Sequence, residues 1–297
     1  MRTTFQRFLQ PMRVARGHAL VAAVAVGAAL AALAAASPAL ATSTAIKEEF
    51  LPFDSCPVQT AEVCTVAYTT GGEFVIDRKT VPIHQTITLQ GGLATSSYAA
   101  QPLIAPVGAP ALSLTPLTVP GGLTGIEGLE GIGGEVTATA EIAGAPSSII
   151  VNKEALATFS GAAVTLPIKV KLSNEVLGDE CYVGSDAEPI VLHLTTGFTS
   201  PPSPVEPIRG SHTSLEGKDK GRIKYIEKVS LVDNDFAVPG ASGCGGSLSP
   251  LIDLVLDADI GIPAQAGQST AIMNGSLEEA ASEWVEKYKP KQKKVKK

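Results

Sequence analysis

Polar and apolar residues alternate in short runs along most of this chain. Over residues 80–90, Ile83, Ile87 and Leu89 alternate with His84, Thr86 and Thr88. Over 135–143, Val136, Ala138, Ala140 and Ile142 face one way and Glu135, Thr137, Thr139 and Glu141 the other. Two segments repeat one pattern, residues 167–172 (PIKVKL) and 189–194 (PIVLHL). Ile168, Val170 and Leu172 point inward in the first, with Lys169 and Lys171 outward. Ile190, Leu192 and Leu194 do the same in the second, with Val191 and His193 outward. Residues 251–260 set Ile252, Leu254, Leu256 and Ile260 against Asp253, Asp257 and Asp259. A period of two is the mark of a half-buried strand. Residues 63–69 and 223–232 read as further strands, the latter with a mixed pattern that suggests a bulge.

Other stretches break the alternation. Residues 42–55 read as a loosely held entry segment. Residues 101–134 are apolar but punctuated by Pro102, Pro106, Pro110, Pro116 and Pro120, with glycines crowding the end. Proline at that density prevents a continuous helix or central strand, and so many Leu, Ile and Val residues are costly to leave in water. An irregular flap packed over the core is the first expectation and an exposed contact surface the second. Residues 199–207 (TSPPSPVEP) form an extended connector. Asn152 stands as an N-cap before KEALA. Ser276-Leu277-Glu278-Glu279 has the form of a capping box opening a helix over 276–288, with Leu277, Ala281, Trp284 and Tyr288 as its apolar stripe. Many short strands, frequent Gly/Pro turns and few helices predict an all-β fold, a disulfide-stapled sandwich or related barrel with a short C-terminal helix and a disordered basic tail at 289–297. The β domain spans 42–275, as one unit or as two modules at 46–145 and 146–275.

The N-terminus adds a destination. Arg2, Arg7, Arg13 and Arg16 precede an Ala/Val/Leu run, which ends in Pro38 and Ala39-Leu40-Ala41. That order is a secretory signal peptide over 1–41, cut near Ala41; retention as a membrane anchor is the alternative. Of 23 Lys and Arg, four lie in the signal, which leaves 19 against 29 acids, a mature net charge of −10. Six of the remaining lysines, Lys289, Lys291, Lys293, Lys294, Lys296 and Lys297, crowd the last nine residues. The body is more acidic still, which argues against nucleic acid as a partner. The tail could instead touch an anionic envelope polymer or membrane surface. Cys56, Cys64, Cys181 and Cys244 all lie in the exported part, and an even count in an oxidising compartment implies two disulfides. Three pairings exist; nearness in the chain favours Cys56–Cys64 with Cys181–Cys244.

The residues that usually carry chemistry are sparse. His84, His193 and His212 sit in no metalloprotease motif, and His84 and His193 read as solvated strand residues. Gly240-Ala241-Ser242-Gly243-Cys244 ends in Cys where a nucleophile elbow needs Gly. The run 128–134 (GLEGIGG) has no strand-turn-helix setting for a nucleotide. Asp233-Asn234-Asp235 and Asp257-Ala258-Asp259 hold oxygens suited to calcium, but the first lacks the glycine and distal glutamate of an EF-hand. No cofactor, metal or catalytic residue is expected. A carboxylate pair acting on glycans is the enzymatic alternative, and a carrier that binds an apolar ligand along 101–134 is a third reading.

Cys181-Tyr182-Val183-Gly184-Ser185 with residues 189–197 (PIVLHLTTG), the run 230–246 (SLVDNDFAVPGASGCGG) and 270–278 (TAIMNGSLE) resemble a group of exported actinobacterial proteins of no established function. The likeness covers roughly 135–281 and implies no activity. It also implies a Cys181–Cys244 bond, since the two cysteines sit in its adjoining motifs. Together these features lead us to expect an exported, non-catalytic β protein of the bacterial exterior or cell envelope that acts by surface contact.

Overall fold

The computed structural model describes residues 47–122 and 134–289. The signal segment, the 128–133 part of the glycine run and the lysines from Lys291 onward lie outside the described residues. In chain order the strands are β1 (Val63–Ile76), β2 (Lys79–Pro82), β3 (Ile87–Leu93), β4 (Gln101–Pro102), β5 (Leu112–Leu114), β6 (Leu117–Thr118), β7 (Thr137–Ile142) and β8 (Ile150–Val151). There follow β9 (Val164–Ser173), β10 (Tyr182–Val183), β11 (Ile190–Leu194), β12 (Ser211–His212), β13 (Glu216–Lys218), β14 (Ile223–Asp233), β15 (Ala241–Ser242) and β16 (Ser269–Ala281). Among the described residues three α-helices are interspersed, α1 (Lys153–Thr158), α2 (Ser249–Ile260) and α3 (Ser282–Tyr288).

The strands form two antiparallel sheets, so the all-β reading holds. One runs β12-β14-β16-β1-β3-β5, with β13 on β14 and β2 on β1; the other runs β15-β10-β9-β7-β6, with β11 and β8 also on β9 and β4 on β8. The repeated segments are neighbours: Ile190 faces Ile168 and Leu192 faces Leu166 across β11 and β9. β9 is the hub of its sheet. β7 lies along Ile168–Ser173 and β8 along Val164–Thr165 on one side, while β10 and β11 share the other. Pro167, which donates no N–H, falls where β9 passes from β7 to β8; its carbonyl accepts from Ala143. β1 is bonded along its length to β16, and β7 to β9. Phe236, Leu192, Ile168, Leu117 and Ile87, from both sheets, meet in the main core.

Local chemistry explains several elements. Asn152 caps α1, its Oδ1 accepting from Ala155 N at 3.0 Å. β1 runs past its expected end through a bulge at Thr69–Gly71. Gly72 there has φ +110°, and a side chain would collide with the Ile272 carbonyl. β14 carries the expected bulge, between Ile226 and Val229. The strand expected over 80–90 is divided into β2 and β3. Both disulfides pair as proposed, Cys56–Cys64 and Cys181–Cys244. Residues 101–122 are packed down rather than exposed for much of their length. Leu103, Ala111 and Leu117 are buried, and short strands tie the segment to both sheets, although Val107 is exposed.

Three expectations fail. The entry segment is anchored: Glu48–Phe53 is a 3-10 turn, and Phe50 and Phe53 are fully buried against Val66, Ile223 and Val285. Ser276–Glu279 does not open a helix. It completes β16, with Leu277 paired to Ala67 and Glu279 to Thr65, and the helix starts at Ser282. Two strand partners outweigh a local cap. Residues 251–260 are not a strand but α2. Pro250 occupies its first turn, and Gly261 closes it in the left-handed region at φ 89°.

Candidate functional site

Two regions hold side chains that the packing of the fold does not account for. The first is α2. Asp253 Oδ1 accepts from Cys244 N at 2.9 Å, and its Oδ2 accepts from Ser249 Oγ at 2.6 Å. Asp257 Oδ1 accepts from Ala241 N at 2.7 Å. Asp259 pairs with Lys79 at 3.1 Å. Every acid of the helix is therefore turned toward the protein, where it fixes the 241–244 loop and the start of β2. Ile252, Leu256 and Ile260 pack inward beside them. The water side is left with Leu248, Pro250, Leu251, Leu254, Val255 and Ala258. Leu248, Leu251, Leu254 and Val255 are 60%, 60%, 65% and 56% exposed, and no charge stands among them. A surface helix ordinarily presents the reverse arrangement.

The second region is a cleft between α1 and the face of the first sheet. Lys153, at the start of α1, and Glu279, on β16, are both buried, with Nζ and Oε2 3.7 Å apart. Lys153 Nζ also donates to the Ser96 carbonyl at 3.2 Å and lies 5.4 Å from the Tyr98 ring. Lys224, on β14, stands directly opposite Glu279. Burial pushes the Glu279 carboxyl above its ordinary range, while Lys153 and Lys224 pull it back. Three hollows of about 90, 50 and 180 Å³ all have Lys153 and Glu279 in their walls. The first opens past Tyr98, His212 and Leu215, and the second is lined mostly by apolar side chains. Glu279 is the cleft's one carboxylate. A further apolar hollow of about 90 Å³ lies between the sheets, beside Leu114, Leu117, Ile168 and Phe236.

Of the residues singled out by sequence, His212 lines the cleft and Asp257 and Asp259 lie on α2, while His84, His193 and Asp233 lie elsewhere. His84 and His193 are exposed, and the His193 amide donates to Asp233 Oδ2 at 2.6 Å. His212 stacks on Phe159 at 4.4 Å. Asp233 is buried, and burial raises its carboxyl above the usual range despite amide donors from Asp235 and His193. Both of its oxygens thus accept backbone amides, while Asp257 Oδ1 accepts from Ala241 and Asp259 Oδ2 pairs with Lys79. Among the described residues no group of three or more His, Cys, Asp or Glu gathers as a metal site. Of the tail lysines, Lys289 is described: it is half-buried, and its Nζ donates to the Asp54 carbonyl at 3.5 Å. Neither α2's uncharged face nor the Lys153–Glu279 pair is foreseen from sequence. The first was legible in Pro250 and Gly261, which frame a helix. The second joins residues 126 positions apart and has no local signal. Comparison of the chain with protein-family models, curated proteins and solved structures finds no match in any of the three.

Proposed function

We propose that the chain is an exported, non-catalytic β protein of the bacterial exterior or cell envelope that acts by surface contact, made by the uncharged face of α2 in an apolar groove of another envelope protein. The inverted orientation of α2 carries this reading. Four large apolar side chains in water cost stability that inward packing would recover, and the acids that could have covered the helix are spent on the loop behind it. Leu251, Leu254 and Val255 fall at i, i+3 and i+4, the spacing by which a helix seats in a groove. A bilayer suits the face less well: α2 has no basic residue and the mature chain is acidic.

The two disulfides fit an oxidising compartment, and residues 1–41 supply the export signal. The likeness of the Cys181 and Cys244 motifs to exported actinobacterial proteins supports the same destination. The lysine-rich end adds an electrostatic contact for an anionic envelope polymer or membrane surface. A glycan hydrolase would need two facing carboxylates, and the Lys153–Glu279 cleft presents one.

Cell fractionation tests the proposal. The wild-type chain should be retained with the envelope, and a Leu251→Ser/Leu254→Ser/Val255→Ser variant should pass into the medium with its fold and disulfides intact. Equal retention of the two would refute it.

A further inference from the structure

Buried charge and apolar surface meet in the Lys153–Glu279 cleft, and a purely structural ion pair does not explain the meeting. A pair that serves only to tie α1 to the sheet is expected to be closed by hydrogen bonds, since burial of two charges is otherwise costly. Here the charged atoms stand 3.7 Å apart, and hollows open on both of them. The inner hollow is walled by Leu89, Leu103, Val164 and Leu231. The outer two add Lys224 and Arg222. Arg222 is committed to Asp219 at 3.3 Å and to the Trp284 ring. Lys153 and Lys224 thus face one carboxylate, an excess of one positive charge at the lip of an apolar recess.

We propose that this cleft binds a small amphiphilic anion, a straight-chain carboxylate, with its head between Lys153 and Lys224 and the start of its chain in the apolar hollow. A carboxylate desolvated beside two ammonium groups makes strong charge-assisted hydrogen bonds. Mostly apolar walls with a small number of placed polar groups are the usual makeup of a small-ligand pocket. The site lies on sheet and α1 residues, so it stands or falls independently of the α2 contact.

Calorimetric titration of the oxidised mature protein with octanoate, octanol and octylamine tests it. Octanoate should bind saturably, about tenfold tighter than either analogue. Lys224→Gln should weaken it by about tenfold, and Ala157→Trp, which fills the mouth, should abolish it. Both positions are exposed, so these variants avoid the folding risk of Lys153→Met. Three results would overturn the proposal: no saturable octanoate binding, octanol or octylamine binding as tightly as octanoate, or octanoate binding untouched by both substitutions.

Discussion

Asp253→Ala offers the sharpest test of how α2 is turned. Its carboxylate accepts from the Cys244 amide at 2.9 Å and from Ser249 Oγ at 2.6 Å, and Cys244 is fully buried. Truncation strands a buried amide and removes a charged acceptor, for which losses of about 1.5–3 kcal/mol per bond are typical. The Ser249 bond is part-buried and adds less, so a total near 2–3 kcal/mol is expected. Leu254→Ser removes a larger apolar side chain but from water, since Leu254 is 65% exposed. Surface changes of that kind stay within about 0.5 kcal/mol. Urea unfolding under non-reducing conditions separates the two. At a slope of roughly 2–3 kcal/mol/M, Asp253→Ala should lower the midpoint by about 1 M and Leu254→Ser should scarcely move it. The reverse ranking, with Leu254 costly and Asp253 neutral, would show that the helix packs its leucines inward and would remove the basis of the proposed contact.

Three further outcomes are expected, two from the structure and one from the export signal read in the sequence. Removing Cys181–Cys244, which closes a separation of 63 residues, should cost roughly 4 kcal/mol, and removing Cys56–Cys64, with a separation of 8, about 2.5; equal costs in urea unfolding would argue against chain entropy as the cause. Because burial raises the Glu279 carboxyl, the folded state holds that proton more tightly than the unfolded chain. Its contribution is full below the ordinary glutamate range and fades as pH rises through the folded value. Glu279→Gln should therefore flatten this part of the stability–pH curve, with Asp233 leaving a residual slope of the same sign, and an unchanged curve would contradict the assignment. Intact mass of the exported protein should start at Thr42 and be four hydrogens light; a full-length chain in the membrane fraction would overturn cleavage.

Period-two patterning found the β9–β11 pair and most of β7, and β11 shows the cause most plainly, burying Ile190, Leu192 and Leu194 while His193 stays exposed; the bulged β14 was read from a mixed pattern. It failed at α2 for an instructive reason. Ile252, Leu256 and Ile260 share a face whether the segment is a strand or a helix, since four residues is a multiple of two and close to a helical turn. Leu254 separates the readings. A strand would bury it, whereas the helix puts it outside. The capping box at Ser276 failed because β1 and β14 both claim β16, and a local signal worth about 1 kcal/mol yields to two ladders of hydrogen bonds. Phe50 and Phe53, both fully buried, were missed for want of any periodicity in so short a segment. Lys153 and Glu279 meet only through the packing of α1 on the first sheet, which no spacing in the chain foretells.

The proposed contact is tested most directly by photo-crosslinking in intact cells, with a photoreactive side chain placed at Leu254 and, as a control, at the exposed Glu216 of β13. The α2 contact predicts one discrete protein adduct from position 254 and none from position 216. No adduct from 254, or the same adducts from both positions, would contradict it.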